Sequence, residues 1–102
     1  MMNYNIQYFV IITEQRRKNK YLELLVENDA HAIDIVYGYG SLSTNPIAKA
    51  FGLDIESNKV IISCLIKTEQ AKKLIDILYQ DYNFNKPNTG IAFSILVECL
   101  SF

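Results

Sequence analysis

The sequence predicts a single α+β domain of the ferredoxin-like βαββαβ type spanning residues 1–102, with a four-stranded antiparallel sheet and two helices on one face. Three observations carry this. A chain of 102 residues that is 50% hydrophobic suits one domain and can bury a core without disulfides or metals. Four β-branched and aromatic runs alternate with two helical periodicities in the order strand, helix, strand, strand, helix, strand. The strands are apolar on both parities, which is more apolar surface than two helices can cover.

Residues 6–13, Ile-Gln-Tyr-Phe-Val-Ile-Ile-Thr, read as strand one. Thr13 is placed to cap a helix with Glu14 and Gln15 in its first turn, and Tyr21, Leu24 and Leu25 recur at helical spacing. That helix should end near Asn28 and Asp29. His31 to Tyr39 reads as strand two, with Ile33, Ile35, Tyr37 and Tyr39 on one face, followed by the backbone freedom of Gly38 and Gly40. Residues 41–59 are less regular and form an insertion between strands, with Asn45 and Pro46 able to start a very short helix and Gly52 to end it. Val60 to Lys67 is strand three. Thr68 is placed to cap the second helix, along which Ala71, Leu74, Ile75, Leu78, Tyr79 and Tyr82 make one continuous apolar stripe. A loop containing Pro87 follows, and Ile91 to Leu100 is strand four.

The excess apolar surface has a consequence for assembly. Tyr8, Val10 and Ile12 oppose Phe9 and Ile11 in strand one, Ile62, Cys64 and Ile66 oppose Ile61 and Leu65 in strand three, and Phe93, Ile95 and Val97 oppose Leu96 and Leu100 in strand four. Helices cover one set, and the other is too large a patch for a lone subunit. An oligomer in which sheets bury one another is the simple solution. Phe9 and Ile61 are assigned to that inward face.

Composition narrows the function classes. A net charge of −1 gives no electrostatic footprint for nucleic acid or an acidic membrane. No apolar run approaches the roughly 20 residues that span a bilayer, and the start lacks the pattern of a signal peptide. Cys64 and Cys99 stand alone on apolar segments and read as buried, reduced thiols. These features favour the cytoplasm. His31 is the only histidine, bracketed by Asp29 and Asp34, and pairs with no nucleophile in the sequence, so no catalytic residue is assigned. Metal-ligand spacings are absent. Arg16, Arg17, Lys18 and Lys20 form a basic run early in helix one, which reads as a solvated face.

Two glycine-bearing segments remain. Gly38-Tyr39-Gly40-Ser41 closes strand two, and Lys86-Pro87-Asn88-Thr89-Gly90 precedes strand four. Glycine lets backbone N–H groups approach a phosphate, and a neighbouring lysine adds charge. Plain turn chemistry is the default for either segment alone. Together, in a βαββαβ chain, they resemble the PII signal-transduction family, the nitrogen regulatory proteins. Tyr37-Gly38-Tyr39-Gly40 is similar to the Lys-Gly-Phe-Gly end of that family's second strand. Asn85-Lys86-Pro87-Asn88-Thr89-Gly90-Ile91-Ala92-Phe93 resembles its Gly-Lys-Ile-Gly-Asp-Gly-Lys-Ile-Phe B-loop, and Val97-Glu98 falls where members carry Val-Glu.

The resemblance implies a homotrimer with inward-facing sheets and intersubunit clefts for a small ligand, such as an adenine nucleotide or another anion. It implies ligand contacts from Gly38, Tyr39, Gly40, Ser41, Lys86, Asn88, Thr89 and Gly90. It also implies that residues 41–59 act as a T-loop that docks on a regulated partner such as a membrane transporter or a metabolic enzyme, and the apolar Ile47, Phe51 and Leu53 of that segment suit such a contact. The sequence departs from typical members in three places. Ser41-Leu42 replace an Arg-Gln pair, Thr89 and Ile91 replace an acid and a lysine, and residues 41–59 hold no tyrosine. Weaker ATP binding and little response to 2-oxoglutarate follow. A small enzyme of the dimeric α+β-barrel type and a ligand-free interaction module are the competing readings, and fold alone does not separate them.

Overall fold

The structure is a computed structural model, and it describes residues 5–38, 58–86 and 89–98. The elements are β1 (Ile6–Glu14), a 3-10 turn (Gln15–Arg17), α1 (Lys18–Glu27), β2 (His31–Gly38), β3 (Lys59–Lys67), α2 (Thr68–Asp81) and β4 (Gly90–Val97). The sheet order is β2-β3-β1-β4, and all three pairings are antiparallel. This is the predicted α+β, βαββαβ architecture.

The register sorts the two faces. Phe9, Ile11, Val60, Ile62, Cys64 and Ile66 meet Tyr21, Leu24 and Leu25 of α1 and Ala71, Leu74 and Leu78 of α2 in one core. Fully burying such an apolar side chain contributes about 1.5–3 kcal/mol, so this layer dominates stability. The opposite parity lines up in rows across all four strands, from β2 to β4. They are His31, Leu65, Tyr8 and Ile95; Asp34, Ser63, Val10 and Phe93; and Val36, Ile61, Ile12 and Ile91. Val10 and Ile12 are buried, whereas Tyr8, Val36 and Ile95 are 41%, 53% and 55% exposed. The apolar second face is therefore real, but Phe9 does not belong to it. Phe9 sits fully buried under the helices, and Ile61 lies on the other face. With apolar residues on both parities, sequence alternation cannot tell the two faces apart.

Both predicted helix caps are also corrected. Thr13 stays in β1, because the ladder continues one residue further to pair Glu14 with Lys59. Glu14 becomes the N-cap of the 3-10 turn and makes no side-chain capping bond. Thr68 is the first residue of α2, behind the N-cap Lys67. Its hydroxyl donates to Asn5 Oδ1 at 2.7 Å and accepts from Gln7 Nε2 at 3.2 Å, so it ties the helix start to β1. The α2 stripe holds for Ala71, Leu74 and Leu78, with Ile75 and Tyr82 half-buried, but Tyr79 is exposed. β2 carries a bulge between His31 and Asp34, where Ala32 adopts φ 52°. Strand three begins at Lys59, one residue earlier than predicted, and strand four ends at Val97, with Leu100 outside the described residues. Cys64 is buried and unpaired, and burial pushes its thiol up to about 11. Cys99 lies outside the described residues.

Candidate functional site

The antiparallel register brings four strand ends to one end of the sheet. β1 and β2 finish there at Glu14 and Gly38, while β3 and β4 begin there at Lys59 and Gly90. Gly38 pairs with Lys59, Lys59 with Glu14, and Thr13 with Gly90. The two glycine-bearing segments are therefore on the same end, three strand spacings apart, or about 14 Å. His31 begins β2 and so lies at the opposite end of the sheet, away from this group.

Described residues on either side of the segment before β4 are held by specific contacts. Asn83 adopts φ 61° and lets the chain leave α2. The Phe84 N–H donates to the Leu78 carbonyl at 3.0 Å, and the Phe84 ring packs edge-on against Tyr21 with centroids 5.5 Å apart. The Lys86 N–H closes a turn onto the Asn83 carbonyl at 2.9 Å, and the Lys86 side chain is exposed. At the exit, the Thr13 hydroxyl donates to the Thr89 carbonyl at 3.1 Å. Gly90 has a packing reason to be glycine, since a Cβ there would stand 3.0 Å from the Ile12 carbonyl oxygen and closer still to the Phe84 ring.

At the end of β1, Glu14, Gln15, Arg16 and Asn58 line an open cleft of about 430 Å³. The Gln15 N–H donates to the Asn58 carbonyl at 3.1 Å, which joins the end of β1 to the start of β3. Arg16 Nε donates to Glu14 Oε2 at 2.7 Å, the one ion pair among the described residues. That hydrogen bond holds the Glu14 carboxyl below the usual carboxylate range. Desolvation opposes it, and the charges of Arg16, Arg17 and Lys59 add to it. Three cations thus gather near one carboxylate. A fourth, Lys18, begins α1, where its Nζ donates to the Tyr37 hydroxyl at 2.8 Å and lies 5.3 Å from the centre of that ring. Lys59 is 7% exposed and forms no ion pair among the described residues. It stands opposite Glu14 in the ladder, where its charge helps to hold that carboxylate ionised. Tyr21 lies beneath this end, with a buried hydroxyl that has no hydrogen-bond partner. Burial raises its pKa, and the neighbouring Arg17 guanidinium and Thr13 hydroxyl partly offset the rise.

Of the sequence-predicted ligand residues, Gly38, Lys86, Thr89 and Gly90 are described and sit at this end. Tyr39, Gly40, Ser41 and Asn88 lie outside the described residues, as do Ile47, Phe51 and Leu53 of the proposed docking segment. Sequence reasoning missed Lys59 and Thr13, and it set aside Arg16 and Arg17 as a solvated face. A lysine at the first position of an otherwise apolar strand was the available signal for Lys59. Among the described residues no group of three or more His, Cys, Asp or Glu side chains could hold a metal ion. No helix among them is long and apolar enough to cross a membrane.

A β2-β3-β1-β4 sheet with both helices on one face, and with Gly38 and Gly90 at the same end of the sheet, has the PII-like fold. No family model and no curated protein matches the sequence. The structure is similar to CPII from Thiomonas intermedia bound to ADP, AMP and acetate, at a TM-score of 0.72 and 15% identity, covering 99% of this chain and 94% of that one. It is similar to a PII-like signalling protein from Thermus thermophilus at a TM-score of 0.69 and 19% identity, covering 98% and 94%. A further CPII structure, described as a nitrogen regulatory PII-like protein bound to ADP, AMP and bicarbonate, matches at a TM-score of 0.67 and 15% identity, covering 97% and 99%.

Proposed function

We propose that this chain is a PII-like regulatory protein, not an enzyme, that binds an adenine nucleotide or a similar anion at the cationic end of its sheet. The observation that supports the reading is the presence of Lys59, Arg16, Gly38, Lys86 and Gly90 at that end within a PII-like fold. Backbone amides at glycines and unpaired cations are the groups that recognise phosphate. The CPII structures that bind ADP and AMP support the same ligand class here.

The chain acts as a homotrimer in the cytoplasm, with the face of Tyr8, Val36, Ile61 and Ile95 turned toward neighbouring subunits. The exposure of Tyr8, Val36 and Ile95 on a lone subunit supports this. Ligand binding at the sheet end is relayed through residues 41–59, which dock on a transporter or metabolic enzyme through Ile47, Phe51 and Leu53. Gly38 and Lys59 are strand ends that flank that segment in sequence, so the ligand site adjoins its base. ATP binds more weakly than in typical members, because Leu42, Thr89 and Ile91 stand where those members carry phosphate- and metal-binding side chains.

Calorimetry with ADP, AMP and ATP, paired with light scattering, tests the proposal. The expected result is a trimer that binds ADP or AMP, and loses about tenfold or more in affinity in Lys59→Ala and Lys86→Ala, as removal of charge-assisted hydrogen bonds predicts. A stable monomer, or no heat with any of the three nucleotides, overturns it.

A further inference from the structure

We infer that His31 and Asp34 form a proton-linked charge pair in the contact between subunits, so that assembly tightens as pH falls through neutrality. The inference rests on the proposed meeting of copies through the second face of the sheet.

The irregular start of β2 brings the two residues together. In a regular strand, residues three apart point to opposite faces. Here His31 stands opposite Leu65 and Asp34 opposite Ser63, so three steps along β2 match two along β3. The extra residue is taken up where Ala32 adopts φ 52°, an unfavourable conformation for a residue with a Cβ. His31 and Asp34 therefore share one face, in adjacent rows about 7 Å apart. It is the face that carries the exposed Tyr8, Val36 and Ile95. Both residues are exposed, and neither makes an ion pair among the described residues.

Asp34 is the one carboxylate in the three rows from His31 to Val36, and its own row continues through Ser63, Val10 and Phe93. A subunit laid over this face takes Asp34 out of water, and a buried carboxylate without an opposite charge is strongly destabilising. The other charges on the face are farther away. Lys67 on one side, and Lys59 and Glu14 on the other, each stand two rows from the Asp34 row. Asp29 lies in the turn before β2, outside the ladder. From β1 the nearby titratable group is the Tyr8 phenol, β4 brings none between Gly90 and Val97, and both helices pack on the opposite face. His31 is thus the nearest group able to balance Asp34. Histidine gains its charge as pH falls from about 8 to about 5. The imidazolium turns a lone buried carboxylate into a pair, so the assembled state holds the proton more tightly than the free subunit and protons favour assembly. Each end of the face also carries both signs, His31 with Asp34 at one and Lys59 with Glu14 at the other. A second copy can therefore meet it without confronting a single sign.

Sedimentation of the wild type, His31→Gln and Asp34→Asn over a dilution series, at about pH 8 and about pH 6, tests this. In the wild type the concentration at half assembly should fall about tenfold at the lower pH, the effect of one pKa unit. His31→Gln should keep the weaker value at both, and His31 is the only histidine in the chain. Asp34→Asn should assemble tightly at both, because no carboxylate is buried. A wild-type value that does not move, or that rises at the lower pH, overturns the inference, as does a shift that persists in both variants. If the wild type resists dilution, urea midpoints at the two pH values carry the same expectations. If His31→Gln does not fold, a wild-type shift retained by Asp34→Asn overturns the inference and its loss supports it. A chain that stays monomeric at every concentration and pH refutes the subunit contact itself, and the charge pair with it, which is distinct from assembly that ignores pH.

Discussion

Phe84 fills the space that a side chain on Gly90 would need. A Cβ at Gly90 would lie 2.8 Å from Phe84 Cζ, below any real contact distance, with the Ile12 carbonyl oxygen behind it at 3.0 Å. Gly90→Ala should therefore destabilise the fold by about 1–3 kcal/mol, the usual cost of overpacking. Phe84→Leu in the same chain should recover part of this loss. Urea unfolding of the two single variants and the double variant checks it, and strict additivity would show that the two residues do not collide.

The two faces of the sheet should respond differently to charge. Phe9→Lys places an unpaired ammonium in the helix-covered core and should abolish folding. Ile61→Lys places it on the opposite face and should release folded monomers with helical circular dichroism intact. Light scattering at micromolar concentration distinguishes the outcomes. A trimeric Ile61→Lys protein would exclude that face as the subunit contact.

Glu14 tempers the positive end of the sheet. Its carboxylate occupies Arg16 at 2.7 Å. Glu14→Gln should raise affinity for ADP at every salt concentration, because Arg16 is freed for phosphate, and should steepen the loss of affinity with added salt. The folded pKa of Glu14 is lowered, so its contribution to stability is present above the ordinary carboxylate pKa and fades as pH falls through the depressed value. The Gln variant should show a flatter acid limb in thermal midpoint against pH. Weaker ADP binding by Glu14→Gln would instead make the carboxylate part of the ligand site.

Cys64 should make the protein sensitive to alkali. Burial raises its thiol from 9.0 to about 11. A raised folded pKa means that stability is complete below the unfolded value and is lost as pH climbs through the folded one. Urea midpoints should fall as pH rises from 9.0 to about 11, and Cys64→Ala, although less stable at neutral pH, should fall less steeply. Tyr21 adds to the decline at higher pH, because burial raises its hydroxyl as well. A wild-type midpoint that is level across that range would contradict the assignment.

The element order is legible because each strand announces itself in β-branched residues and α2 in an unbroken stripe of small and large apolar side chains. The errors share one cause. Thr13 and Thr68 both stand where a local rule places a cap, but their hydroxyls are engaged by Thr89 and by Asn5 and Gln7, 76, 63 and 61 residues away. Local rules carry no information about such partners. Phe9 falls on the wrong face in a sequence reading because both parities of β1 are apolar, and only the placement of the helices breaks the tie. At the candidate site, Gly38, Lys86 and Gly90 are visible as motif residues. Lys59 acquires its place from the cross-strand register with Glu14 and Gly38, which no reading of neighbouring residues supplies.

The sheet order leaves β2 and β4 as its two rims, and they are unlike. At the start of β2, Ala32 and Ile33 both stand opposite the single residue between Leu65 and Ser63 on β3, and Ala32 turns into left-handed backbone, so the comb of amides and carbonyls is broken on that rim. Along β4 the register with β1 runs without a shift from Gly90 to Val97. End-to-end growth of sheets into fibres requires two matching rims, each able to template the next molecule. A subunit with one irregular rim is a poor link in such a chain.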